Sequence, residues 1–278
     1  MDHLDVNLSI KWKLYDEVPE VFHKTKFTLR RLKSKKNLVF DISFIEGPND
    51  FPSNIILKLF NTPNFQREVE ILKNLKKQNL NVPSILFYKN PYLVLEKIQG
   101  SNICDFINDN LMQVKTINEL DGNIRHNLLW SIKNLAKWFA KLHSNNVISQ
   151  TIEQESLVLN KADARLRDFI IDKDKHVIYG LDFEEAYEGN HLDDLAWVCC
   201  SLLDTNPGIF ELEEPYHKIE LINQFIKQYY KINPDFKFSF SYFANAIIED
   251  LNIVIKRRDL SIGNLNKSRI LNNLKKEF

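Results

Sequence analysis

Five charged side chains stand where their spacing could serve phosphoryl transfer. Lys58 lies inside the run NIILKLF (residues 54–60), flanked by Ile56, Leu57, Leu59 and Phe60. A lysine in so apolar a strand has one polar direction open to its ammonium. Ten residues on, Glu68 sits in a helical stretch among Arg67, Val69, Glu70 and Leu72. A strand lysine paired to a helix glutamate would hold the ammonium ready for nucleotide phosphates. A lysine snorkelling to water beside a solvated helix face would leave the same pattern. The second group is KADARLRD (residues 161–168), with Asp163 and Asp168 five apart in a loop. The third is GLDFEEA (residues 180–186), with Asp182 ending a strand. A hairpin between Asp168 and Asp182 brings those carboxylates together, and paired hard oxygens suit Mg2+. Ordinary turn aspartates are the competing reading.

The elements that must position these residues are legible as patterns. Before residue 100 the chain reads as strands over 26–32, 37–45, 54–60 and 92–98. One helix lies between them. Thr62 can cap it, Pro63 suits its first turn, and Phe65, Val69, Leu72 and Leu75 follow helical spacing. After Gly100 the stripe Leu128, Ile132, Leu135, Phe139 and Leu142 predicts a helix over 127–143. Two short runs, 169–171 and 177–183, are joined by residues 172–175 and predict a hairpin. From His191 onward apolar residues are helically spaced, with breaks at 206–208 and 233–234.

Taken in order, these segments resemble a known family. ILKLF at Lys58, FQREVEILKNL at Glu68, LVLEKIQG at 93–100, KLHSNNVI at His143, D-x-x-x-x-D at Asp163 and Asp168, LDFEE at Asp182 and LDDLAW at Asp194 come in protein-kinase order. VP-x-x-L at 82–86, the LVLEKI-x-G hinge and the DxxDLA-like run resemble the aminoglycoside phosphotransferase and choline-kinase side of that superfamily. The resemblance covers about residues 54 to 200.

The resemblance implies an α+β, bilobal protein-kinase-like fold. Residues 1–97 would form an N-lobe, a small antiparallel sheet with one helix, and residues 98–278 a larger, mostly helical C-lobe. Nucleotide would bind in the cleft between them. Lys58 would hold phosphates and Glu68 would orient it. Backbone groups at Glu96, Lys97 and Ile98 would meet adenine. Asp163 would act as base, Arg165 would place a cation near the γ-phosphate, and Asp168 and Asp182 would bind Mg2+. Asp194 would brace the loop from a helix start.

Four departures accompany it. No glycine precedes Gly47, so a Gly-rich loop is missing. The family's histidine two before the base is Lys161, and its asparagine is Asp168, which adds a negative charge. His143 lies far enough before Asp163 that residues 149–160 read as an insertion or extra strand.

Composition bounds the remaining choices. Lys plus Arg total 37 and Asp plus Glu total 37, a formal net charge of zero over 278 residues. Hydrophobic residues at 44% and charged at 27% exclude bulk disorder. Balanced charge disfavours a nucleic-acid or membrane binder. Three cysteines, Cys104, Cys199 and Cys200, build neither a disulfide framework nor a CxxC knuckle. The opening MDHLDVNLSI lacks a basic stretch before an apolar one, and LAWVCCSLL (195–203) is too short to span a bilayer. A cytoplasmic location is expected. Glu184, Glu185 and Glu188 with Glu211, Glu213 and Glu214 could line a pocket for a cationic substrate or form a solvated face. Phe236, Phe238, Phe240, Tyr242 and Phe243 could pack a core or shape a cleft. The basic tail, 256–258 and 267–276, could meet RNA or a partner, or only favour solubility.

These readings lead to an ATP- or GTP- and Mg2+-dependent phosphotransferase acting on a small-molecule hydroxyl, with Asp163 as base. Its partners would be nucleotide and that small molecule, without membrane, and a protein partner stays open. The alternative is a catalytically weak pseudokinase that binds nucleotide as a scaffold for protein or RNA.

Overall fold

A computed structural model describes residues 26–45, 51–112, 114–149, 156–212, 215–261 and 267–278. The chain divides into two compact units. The first takes the described residues up to Lys77 together with Val82–Ile98, and the second takes Gln78–Asn81 and the described residues from Gln99 onward. Among the described residues no helix is long and apolar enough to cross a membrane.

The first unit is an antiparallel sheet with one helix. Strands β1 (Phe27–Leu32), β2 (Leu38–Phe44), β3 (Asn54–Leu59), β4 (Ile85–Lys89) and β5 (Tyr92–Glu96) lie in the order β1-β2-β3-β5-β4. Side chains alternate across a strand, so Ile55 and Leu57 share one face of β3 and Ile56 and Lys58 the other. The first face, with Phe40, Ile42 and Val94, is a core closed to solvent. Helix α1 (Phe65–Lys77) buries Phe65, Glu68, Val69, Leu72 and Leu75. It begins later than the capping pattern suggests. The Phe60 and Phe65 rings meet edge to face at 5.4 Å, folding residues 61–64 into a turn. The amide of Glu68 then donates to the Asn64 carbonyl at 3.1 Å, and the buried hydroxyl of Thr62 caps nothing.

The second unit is mostly helical. It contains α2 (Ile103–Leu111), α3 (Gly122–Asn145), α4 (His191–Asp204), α5 (Tyr216–Ile232), α6 (Phe240–Arg258) and the short α7 (Lys267–Leu271). The apolar stripe of α3 is buried as its periodicity predicts, but the helix starts five residues before the expected 127, where Asp121 accepts from the amide of Asn123. Its main neighbour is α5, while α4 packs on α6. Phe236 and Phe243 belong to this core, whereas Tyr242 is exposed.

Two three-stranded sheets complete the unit. One joins β10 (Val177–Gly180), β9 (Phe169–Asp172) and β6 (Ser101–Asn102). The other joins β11 (Tyr187–Asn190), β8 (Leu157–Asn160) and β7 (Val147–Ser149). The extra strand expected within 149–160 is therefore β8, with residues 150–155 outside those described. Gly100, at φ +139, enters β6 where a Cβ would lie 2.0 Å from the Ile171 carbonyl oxygen. Only glycine fits there. The hairpin has the register Phe169↔Gly180 and Asp172↔Val177. It stops at Gly180 rather than Phe183, because Asp182 takes a left-handed φ of +62 that no strand can continue.

Candidate active site

In the first unit Lys58 donates to Glu68 Oε2 at 2.6 Å. Both are nearly closed to water, at 7% and 1% exposure, and the ammonium also lies 4.8 Å from the Phe60 ring centre. A cation and an anion buried at contact distance fix each other's position, at a desolvation cost to both. Farther along the sheet Glu96 lies opposite Ile55. Its amide donates to the Ser84 carbonyl at 2.9 Å, and its carboxylate accepts from the Ser84 hydroxyl at 2.8 Å. Lys97 pairs with Asp41, and Ile98 is half-buried. Lysine and arginine bonds from Lys97 and Arg30 hold the Asp41 carboxyl below the usual range, outweighing its burial.

The second unit builds its site on the loop from Asn160 to Asp168. Asp194, in the first turn of α4 and closed to solvent, accepts the amide of Lys161 at 2.6 Å and that of Ala162 at 2.9 Å. The same carboxylate meets His143 Nε2 at 3.2 Å, whose other ring nitrogen meets the Tyr229 hydroxyl at 2.9 Å. His143 is thus a core histidine at the end of α3. Held this way, Ala162 and Asp163 both take left-handed backbone, at φ +61 and +35. Such strain in residues other than glycine persists only where surroundings impose it, and it gathers at functional sites.

Around this loop Asp163 and Asp168 both face Arg165. Arg165 Nη2 lies 3.4 Å from Asp163 Oδ2, and its Nε lies 3.5 Å from Asp168 Oδ2. Arg257, from the last turn of α6, donates to the other oxygen of Asp163 at 3.1 Å. The amide of Leu181 donates to the Asp168 carbonyl at 2.8 Å, so the hairpin's two ends are tied. Asp182 is exposed, and its carboxylate oxygen lies within 4.8 Å of that of Glu184. Burial pushes the Asp168 carboxyl up, against the pull of Lys161 and Arg165 and with the repulsion of Asp182 and Asp163.

Two side chains here have roles that the pattern of residue types leaves hidden. Glu184 is buried at 2% exposure, while Glu185 and Glu188 are exposed, so this acidic run is not a uniformly solvated face. Glu213 and Glu214 lie outside the described residues. Lys161 is 1% exposed, with its ammonium 3.1 Å from the Asp182 carbonyl oxygen and 3.8 Å from Asp168 Oδ2. The donor set of the loop suits a divalent cation and phosphate. Asp168 and Asp182 offer hard oxygen ligands of the kind magnesium prefers. Arg165 Nε is buried without a hydrogen-bond acceptor among the described residues, a donor suited to an anionic oxygen.

No protein-family model and no curated protein matches the sequence. Solved structures match over nearly its whole length. A choline/ethanolamine kinase family protein from Mesorhizobium loti superposes with a TM-score of 0.55 at 12% identity, over 96% of this chain and 93% of that one. The fold is protein-kinase-like, of the choline-kinase kind. Amicoumacin kinase in complex with AMP-PNP, Ca2+ and Ami gives a TM-score of 0.51 at 13% identity, over 98% of this chain and 94% of that one. An ethanolamine kinase from Plasmodium vivax gives 0.50 at 13% identity, over 98% and 88%. An α+β chain with an N-terminal antiparallel sheet and a helical C-terminal part agrees with the fold that the sequence motifs imply.

Proposed function

We propose that the protein is a kinase that moves the γ-phosphate of ATP or GTP to a hydroxyl of a small molecule. The observation that carries this reading is the strained loop at Ala162 and Asp163, held from beneath by Asp194, with Asp163, Arg165 and Asp168 in contact above it. The neighbours of like fold include kinases of choline, ethanolamine and amicoumacin, all small molecules.

In this reading residues 1–97 bind nucleotide, and residues 98–278 supply the catalytic loop, the metal site and the acceptor-binding helices. Lys58, oriented by Glu68, binds phosphate oxygens. Backbone groups at Glu96, Lys97 and Ile98 bind the base. Asp163 takes the proton of the acceptor hydroxyl as that oxygen bonds to the γ-phosphorus. The bond from this phosphorus to the bridging oxygen breaks, leaving nucleoside diphosphate. Arg165 offers its guanidinium to the γ-phosphate oxygens. A magnesium ion on Asp168 and Asp182 would neutralise phosphate charge when bound. Such catalysis is positioning and electrostatics more than covalent help. A cytoplasmic setting, rich in nucleoside triphosphate and magnesium, fits it.

The test is product formation from Mg-ATP with a panel of amino alcohols and aminoglycosides, read by mass spectrometry. The wild type should give a phosphorylated product, and Asp163→Asn should lower its rate by about 100-fold or more, the scale of a lost general base. Nucleotide binding with no turnover on any acceptor would favour the scaffold reading instead. No nucleotide binding would overturn both.

A further inference from the structure

Lys161 and Asp168 are the two loop positions at which the sequence leaves the pattern it resembles, and each brings a charge. The structure places those charges side by side. The Lys161 ammonium lies 3.8 Å from Asp168 Oδ2 and donates to the Asp182 main-chain carbonyl at 3.1 Å. Its side chain is 1% exposed and that of Asp168 14%. The rings of Phe169 and Phe183 flank the ammonium, 5.6 and 5.7 Å away. A buried ammonium is costly unless an anion and hydrogen-bond acceptors lie beside it, and Asp168 and the Asp182 carbonyl supply them.

The other charges near Asp168 do not replace this partner. Arg165 lies 3.5 Å away, but it also faces Asp163 at 3.4 Å and is 35% exposed. Glu184 is buried and adds a further negative charge beside Asp182. Without Lys161, Asp168 would face the repulsion of Asp182 and Asp163 with Arg165, which it shares with Asp163, to offset it.

We propose that Lys161 is a positioning residue that cancels the charge of Asp168 and pins the main chain at Asp182, so fixing both the charge and the spacing of the divalent-cation site. This rests on the kinase reading above, since it takes Asp168 and Asp182 as the metal carboxylates. Gaining the lysine and the aspartate together leaves the site's charge as a neutral pair would. Gaining either alone would shift it by one unit. The consequence is a sign pattern. Removing the lysine charge strengthens metal binding, removing the aspartate charge weakens it, and removing both restores it.

Manganese binding to the full chain without nucleotide, followed by calorimetry, tests this with no activity needed. Lys161→Gln keeps a donor for the Asp182 carbonyl, and Asp168→Asn keeps an oxygen at position 168. K161Q should bind Mn2+ about tenfold tighter and D168N about tenfold weaker, the order expected for one unit charge acting through a partly screened site. The double variant should return to within about threefold of wild type by the same reasoning. In metal-free buffer each single variant should melt below wild type and the double variant above both. K161Q binding no tighter than wild type, or a double variant binding no better than D168N, overturns the proposal. Where a single variant does not fold, the double variant decides. Near-wild-type Mn2+ affinity supports the proposal, and failure of that variant to fold overturns it. Absence of Mn2+ binding by the wild type, or binding with the wrong sign in K161Q, overturns this inference alone, because the kinase reading stands or falls on nucleotide binding and turnover and its metal is completed by nucleotide phosphates.

Discussion

A buried ammonium and carboxylate at 2.6 Å hold each other only while both remain, which makes Lys58 and Glu68 informative to change. Truncating one partner strands the other's charge in an apolar setting, at a cost of about 3–5 kcal/mol. Lys58→Met should therefore lower the melting temperature and also weaken nucleotide binding by about tenfold or more, equivalent to at least about 1.4 kcal/mol. Titration with a non-hydrolysable ATP analogue checks this. Unchanged affinity would remove the lysine from the proposed phosphate site. This pair was readable from spacing, because strand alternation puts Lys58 opposite the sealed face of β3 and helical spacing puts Glu68 with Phe65, Leu72 and Leu75. The partner of Lys161 was not readable. It depends on left-handed backbone at residues 162, 163 and 182, and no periodicity reports where an irregular loop sends its side chains. The burial of Glu184 beside an exposed Glu185 was hidden for the same reason.

Among elements, the start of α4 bears most on the site. Asp194 has two backbone amides and a histidine on one carboxylate, all closed to solvent. Asp194→Ala would leave the amides of Lys161 and Ala162 and the ring of His143 without their acceptor. Each stranded donor costs about 1–3 kcal/mol, so with three of them a loss of at least about 3 kcal/mol is expected. The strained backbone at Ala162 and Asp163, itself costing about 1–3 kcal/mol per residue, would then relax. Thermal melting should show the loss, and limited proteolysis should show new cleavage within 160–168. A variant that melts as the wild type and resists the protease would contradict the brace. Long elements were legible at this scale. The stripe of α3, the apolar run of β3 and the breaks at 206–208 and 233–234 each carry enough residues to declare a period. Strands β6, β7 and β11, of two to four residues, do not. Their pairing is decided by neighbours such as the Ile171 carbonyl that Gly100 must approach.

At the scale of the whole molecule a formal charge of zero conceals strongly shifted groups whose effects on stability run in different directions with pH. Burial lowers His191 to about 3 and His217 to about 4, so the folded chain binds fewer protons than the unfolded one below 6.5 and loses stability on acidification. Burial, aided by repulsion from Asp193, raises Asp250 to about 8, so its contribution is lost as pH climbs from 3.8 through 8. Lys218 gives the sharpest test. It lies on α5 with no exposed surface and donates to the Thr205 hydroxyl at 2.6 Å and carbonyl at 3.2 Å. Burial lowers it from 10.5 to about 7. Between those values the unfolded chain binds more protons, so stability rises with pH across that window, and below 7 the full cost of the buried charge stands. Replacing a buried charge by an apolar group of similar volume is often stabilising by about 1–4 kcal/mol. Lys218→Met should accordingly melt above wild type at pH 6, with the difference shrinking as pH rises from 7 toward 10. The two hydrogen bonds lost at Thr205 offset part of the gain but do not depend on pH in that window, so the slope rather than the height of the difference identifies the ammonium. A difference that stays flat from pH 6 to 10 would mean that the lysine keeps its proton in the folded chain, and that Thr205 alone repays the cost of burying it.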